Sequence, residues 1–191
     1  MIPYNVMEAI EKLPREKLFL LGLCYTERNR IIIEEFDKLY GEHISEQFNS
    51  KLEYAYSTLL VKSLDQDVVR GYSEVLEQML PDSEDYTETL GGLALNGLSM
   101  LCYCYRFLLT AQSENIGYII GLALETVDAI GQEHSNDYDY ETGHMEEYVV
   151  MDKYLSILTN ISDISSTNIA TLRDVSLNNM FVIKDSAILL P

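Results

Sequence analysis

Apolar residues along this chain recur at steps of three and four, and strand-like alternation is hard to find. Between His43 and Lys62 the apolar positions Ile44, Phe48, Leu52, Ala55 and Leu59 line one face of an α-helix. From Asp65 to Leu80 a second stripe runs through Val68, Tyr72, Val75 and Met79, with Asp65 placed as N-cap and Pro81 just beyond the end. Upstream, a short helix is expected from about Pro3 to Lys12. A longer one follows from about Arg15 to Tyr40, started by Pro14 and stopped by Gly41.

Downstream, the segments from about Thr87 to Ala111 and from about Glu114 to Gly131 are apolar nearly all round, with Ser113 as the N-cap of the second. Helices of that kind belong in the middle of a bundle. Gly91, Gly92 and Gly97, and the Gly117-x-x-x-Gly121 spacing, weaken these helices by about 1 kcal/mol each relative to alanine. That cost makes sense where a neighbour packs against the missing side chain. The stretch Gln132 to Gly143 is polar, acidic and tyrosine-bearing and reads as an exposed loop. A further helix from about Met145 to Ile161 carries Tyr148, Met151, Leu155 and Leu158 on one face, and a weaker one spans about Thr167 to Asn178.

The pattern predicts an all-α fold: one helical domain over residues 1–191, a bundle of about seven to eight helices, mostly antiparallel, with two apolar helices central. Residues from about 181 to 191 are expected as a tail docked by Phe181, Ile183 and Leu189.

Charge changes the picture. The chain has 31 acids and 13 bases, net −18. Residues 64–147 hold seventeen of those acids against Arg70 and Arg106 alone. A field of that sign repels nucleic acid and anionic membranes and attracts basic surfaces. It equally serves solubility. The three cysteines, Cys24, Cys102 and Cys104, lie inside apolar runs, which fits small buried hydrophobes in a reducing compartment. The N-terminus shows no signal-peptide pattern, so a cytoplasmic location is expected. The uncharged run Leu90 to Tyr105 is sixteen residues, short of the roughly 18–20 a membrane-spanning helix needs.

The sequence carries little that points to catalysis. Glu141-x-x-His144 is the one Glu-x-x-His spacing, but it contains Gly143 and falls in the expected loop. Asp137-Tyr138-Asp139-Tyr140-Glu141 begins like a calcium loop, yet Thr142 stands where glycine is required and Tyr148 where a bidentate glutamate is. Cys102 and Cys104, two apart on a helix, point about 200° away from each other. No phosphate loop, dinucleotide fingerprint or nucleophile elbow is present. The expectation is no enzyme, no metal and no cofactor.

The run Ile10-Glu11-Lys12-Leu13-Pro14, followed by Leu20-Leu21-Gly22-Leu23-Cys24-Tyr25-Thr26-Glu27-Arg28, resembles the bacterial YjaG-like family, a group of unknown function. Leu80-Pro81-Asp82-Ser83-Glu84-Asp85-Tyr86 before a long apolar helix, Glu146-Glu147, and Arg173 with the stretch from Ser176 to Ile188 are similar as well. The resemblance covers nearly the whole chain and implies an all-helical fold, with no activity, cofactor or catalytic residue. The lack of tryptophan and the leucine-rich centre mark a divergent relative with a specialised task.

These readings converge on a binding protein. Its most concrete form is an immunity protein that neutralises a basic toxin domain such as a nuclease. The candidate contact residues are Asp82, Glu84, Asp85, Tyr86, Asp137, Tyr138, Asp139, Tyr140 and Glu141, acids interleaved with tyrosines in the two acidic segments. The alternatives are a YjaG-like housekeeping protein without a toxin partner, which could form a homodimer, and an enzyme with carboxylates on a metal.

Overall fold

The computed structural model of the chain describes residues 4–81, 86 and 89–182. Among the described residues there are nine helices: α1 (Tyr4–Glu11), α2 (Arg15–Glu27), α3 (Arg30–Tyr40), α4 (Ser45–Thr58), α5 (Gln66–Gln78), α6 (Thr89–Thr110), α7 (Glu114–His134), α8 (Tyr140–Asn160) and α9 (Ser166–Leu177). The fold is a single all-α domain, a helical bundle.

Side-chain pairs fix the order of the central helices. Thr89 meets Glu133, Asn96 bonds Thr126 at 3.3 Å, and Tyr103 stacks on Tyr118 with centroids 5.0 Å apart. As the residue number rises on α6 it falls on α7, so the two form an antiparallel hairpin. Gln132 with Tyr140 and Asp128 with His144 set the same antiparallel register between α7 and α8. α2 lies along this hairpin, with Phe19 stacked on Phe107 at 5.7 Å. A Cβ on Gly22 would stand 2.8 Å from Ile116 and 3.7 Å from the Cys104 sulfur, so glycine lets α2 settle between α6 and α7.

The apolar pattern becomes the core largely as read. Leu18 to Glu27 on α2 are buried without exception, and α6 buries thirteen residues. α6 is long and apolar enough to span a membrane by composition, and 61% of its apolar window is packed inside the protein. Phe48, Leu52 and Ala55 of α4 and Tyr148, Met151, Leu155 and Leu158 of α8 point inward as their spacing requires. Gly41 ends α3 in a left-handed conformation at φ 72°, and Asp65 caps α5 through bonds from the Asp67 and Val68 amides. Ser113 occupies the N-cap position of α7 but makes no side-chain cap bond.

Three elements differ from the sequence pattern. The segment expected as one helix from Arg15 to Tyr40 breaks at Arg28-Asn29. Asn29 nests on Gly97 of α6, where a Cβ would approach its own Cβ to 2.8 Å, and its amide donates to the Tyr25 and Thr26 carbonyls. Tertiary packing makes that break, and no local breaker residue announces it. On α5 the fully buried positions are Val69, Ser73 and Leu76, and Val75 is 40% exposed. The helix is turned so that Tyr72 sits between Tyr54 and Tyr105, which rotates the expected stripe. The expected loop from Gln132 to Gly143 shrinks to Ser135–Asp139, because α7 runs on to His134 and α8 starts at Tyr140. Its polar residues are the exposed faces of two helix ends.

Glycine use also differs from expectation. Gly91 receives the Tyr86 side chain, whereas Gly92, Gly117 and Gly121 face open space. In the expected tail, Phe181 is buried, with its amide bonded to the Arg28 carbonyl. Ile183 and Leu189 lie outside the described residues.

Candidate functional site

Charged residues of this protein fall into two settings, one inside the bundle and one on its surface. The inner setting starts at the α2–α3 break. Glu27 is fully buried and accepts from Arg173 of α9 at 2.7 Å and from the Tyr56 hydroxyl at 2.9 Å, while Arg30 pairs with it at 3.1 Å. Glu53 of α4 closes the cluster by bonding both Arg30 and Arg173 at 2.5 Å. The hydrogen bond from Arg173, supported by one from Arg30, holds the Glu53 carboxyl below the usual range for glutamate.

On the other side of α2, the buried Arg28 makes a two-pronged pair with the buried Glu147 of α8, one prong at 2.8 Å. Burial alone would favour neutral Arg28, but the bonds and charge of Glu147 outweigh it and the pKa rises. The Arg28 guanidinium also lies over the Phe181 ring at 4.0 Å and donates to the Asn179 carbonyl at 2.6 Å. One arginine thereby ties α2, α8 and the segment after α9 together. Glu27 with Arg173 and Arg28 with Glu147 thus form two ion pairs flanking the end of α2, with Glu27, Arg28 and Glu147 buried and Arg173 partly exposed.

This inner setting is built for architecture. Its charges are matched, and the nearby Cys24 thiol is pushed by burial up to about 12, far from a reactive thiolate. Cys102 and Cys104 are raised to about 12 in the same way. No group of three or more His, Cys, Asp and Glu side chains that could hold a metal ion is found among the described residues.

The outer setting is the α7–α8 hairpin. From Phe107 to Asp152 the chain contains no lysine or arginine. Glu114, Glu125, Asp137, Glu141 and Glu146 are exposed there and make no ion pair among the described residues. The two bases of the 64–147 stretch are already engaged, Arg70 with Asp67 and Arg106 with Glu77. The carboxylates are densest where the hairpin turns, at Glu133, Asp137, Asp139, Glu141 and Glu146.

Several residues singled out as contacts sit here, in roles the sequence does not announce. Tyr138 is a wedge. A Cβ on Gly131 would reach its ring at 2.1 Å and one on Gly143 its hydroxyl at 1.8 Å, so two glycines on adjacent helices make its berth. Its hydroxyl donates to Asp128 at 3.1 Å, and burial together with that carboxylate pushes its pKa up to about 12. His144 reaches the other oxygen of Asp128 at 3.0 Å. Asp139 caps α8; the bond it accepts from the Thr142 hydroxyl, followed by that from the Glu141 amide, holds its pKa below the usual aspartate range. Tyr140 is 50% exposed, packs edge-on against Tyr138 and accepts a bond from Gln132. Asp137 and Glu141 project into solvent.

Asp82, Glu84 and Asp85 lie outside the described residues. Tyr86, at the end of that segment, is half-buried against Phe36 and Tyr40 and donates to Glu42 at 2.6 Å. It therefore serves as packing as much as surface. The contact between Thr89 and Glu133 brings the chain just after the first acidic segment to the end of the bundle that carries the second.

Sequence reasoning missed two features. One is the internal ion-pair layer, whose partners are up to 146 residues apart. The other is an exposed apolar pair, Met145 and Val149, among the carboxylates of α8. The visible signal for the first was the run Glu27-Arg28-Asn29-Arg30 set inside otherwise apolar helix. For the second it was Met145 and Val149, which lie off the apolar stripe of their helix.

No family model matches the chain, and no curated protein matches it. Among solved structures, the fold is similar to that of a DUF416 family protein from Shewanella baltica, with a TM-score of 0.76 at 16% identity, over 90% of this chain and 93% of that one. At that identity the likeness establishes the shared fold.

Proposed function

We propose that this chain is a cytoplasmic binding protein that works by docking a basic partner on its α7–α8 surface. Its most concrete form is an immunity protein that blocks a nuclease-like toxin domain. The carrying observation is the 107–152 segment, where exposed carboxylates stand without a single lysine or arginine in sequence and without an ion pair among the described residues. Such a surface accelerates encounter with a cationic protein and discriminates against anionic ones. Mutual repulsion among its carboxylates is relieved when a cationic partner arrives. The reading assigns the chain no catalytic step and no cofactor, and the three buried, protonated thiols suit a reducing compartment.

The second reading is a divergent YjaG-like protein with a housekeeping role and no toxin partner. It is favoured by the likeness to the DUF416 family protein along almost the full length of both chains. Calorimetric titration against the product of the adjacent gene separates the two. The binding reading expects association at low salt that weakens steeply as salt rises. Absence of heat at low salt, with both proteins folded, supports the housekeeping role.

A further inference from the structure

We propose that the outward face of α8, centred on Met145 and Val149, is the docking surface for an amphipathic basic segment of the partner, an apolar stripe flanked by lysines or arginines. The inference rests on the binding reading above and adds where the partner is gripped and by what chemistry.

Met145 and Val149 are four residues apart, on one face of the helix, and are 63% and 56% exposed. They do no work in the core, because α8 buries a different stripe through Tyr148, Met151, Leu155 and Leu158. Two depressions flank them. One, of about 400 Å³, is lined by Asp139, Glu141, Thr142 and Met145. The other, of about 420 Å³, runs between α8, Val127 of α7 and the segment Asn179-Met180, and its lining includes Lys153 and Arg28, the latter paired with Glu147. Glu146 and Val149 line both, so they form the ridge between the two hollows, and Met145 extends its apolar side into the first.

Charge selects the occupant. Glu141 stands one turn before Met145, Glu146 lies beside the ridge, and Asp152 is exposed one turn beyond Val149, with Lys153 at the C-terminal edge. A second copy of this chain would bring the same carboxylates against these, and an anionic bilayer is repelled for the same reason. A segment with apolar side chains at helical spacing and cations on its flanks satisfies both the ridge and its rim. The surface is also held ready. Tyr138 is seated on Gly131 and Gly143 with its hydroxyl on Asp128, and Asp139 caps the helix, so little ordering is needed when a partner arrives.

The test uses the full chain and two synthetic peptides of equal positive charge. One has lysine and leucine at amphipathic helical spacing; the other has the leucines replaced by glutamine. Binding is read by fluorescence anisotropy at low salt, with helicity checked by circular dichroism. The Lys–Leu peptide is expected to bind more tightly, and the double variant Met145→Ser/Val149→Ser to weaken it by about tenfold while leaving the Lys–Gln peptide unchanged. Indifference of the Lys–Leu peptide to that folded variant, while Glu141→Lys/Glu146→Lys still weakens it, overturns the α8 ridge and leaves the acidic-surface reading standing. Failure of both peptides to bind removes that reading as well. Self-association of the free chain that the serine variant abolishes assigns the ridge to a second copy and overturns the inference.

Discussion

The α2–α3 break and the α7–α8 hairpin use the same residue types to opposite ends. At the break, Glu27, Arg28, Glu147 and Arg173 are matched cation to anion between α2 and its C-cap, α8 and α9. At the hairpin, Glu141 and Glu146 face water and make no ion pair among the described residues. Taking two charges out of water is costly, and their attraction roughly offsets that cost only when geometry and hydrogen bonds are complete. The inner layer therefore does little for net stability while intact. It specifies which helices meet, because any other arrangement strands a charge. The outer carboxylates lose nothing to desolvation and repel one another, so they contribute little to the fold. On the proposed function, their use lies outside the chain.

The largest effect is expected from breaking the inner pair on one side. Glu147→Ala leaves Arg28 buried and unmatched and should cost about 3–5 kcal/mol in urea unfolding. Arg28→Met/Glu147→Leu, which removes both charges, should recover most of that loss. A double variant no better than the single one would show that the pair contributes more than matched charge.

Next in size is the wedge that shapes the outer surface. Gly143→Ala places a methyl where the Tyr138 hydroxyl lies, and overpacking of this kind costs about 1–3 kcal/mol. In a Tyr138→Ala background the same substitution should cost far less, giving a clear non-additive cycle.

A smaller effect concerns pH. The folded-state pKa of Glu53 is lowered from its usual value of 4.5, first by the bond from Arg173. Its contribution to stability is therefore fully present above the unfolded-state pKa and is lost as pH falls through the folded value. Glu53→Gln should flatten the stability profile below about pH 4.5 and leave its shape at neutral pH unchanged.

The smallest effect is expected on the outer face. Glu141→Lys/Glu146→Lys should change stability by no more than about 0.5 kcal/mol, since neither carboxylate has an ion-pair partner among the described residues to lose. A large destabilisation would mean that the hairpin acids serve the fold and would erase the contrast between the two regions.

Much of the fold was legible in the sequence, because its signals are local. The Gly41 stop, the Asp65 cap and the inward stripe of α8 each follow from a few neighbouring residues. The α2–α3 break was not legible: Arg28 and Asn29 are ordinary helix residues, and what turns the chain is Gly97 and Glu147, far along it. The turn of α5 was hidden because apolar residues cover more than one face, and Tyr72 packing decides among them. Of the candidate contact residues, Asp137, Tyr140 and Glu141 are exposed as a contact surface requires. Tyr138 and Asp139 carry structural tasks that only the α7–α8 geometry reveals, and Met145 and Val149 went unnoticed because periodicity marks core residues, not exposed ones.

Mapping amide shifts of the ¹⁵N-labelled chain during titration with the Lys–Leu peptide locates the contact surface on the folded protein. Shifts confined to residues 133–153, fading as salt is raised, are the predicted result. Shifts spread over α1 to α5, or centred on the Glu27 layer, would contradict it.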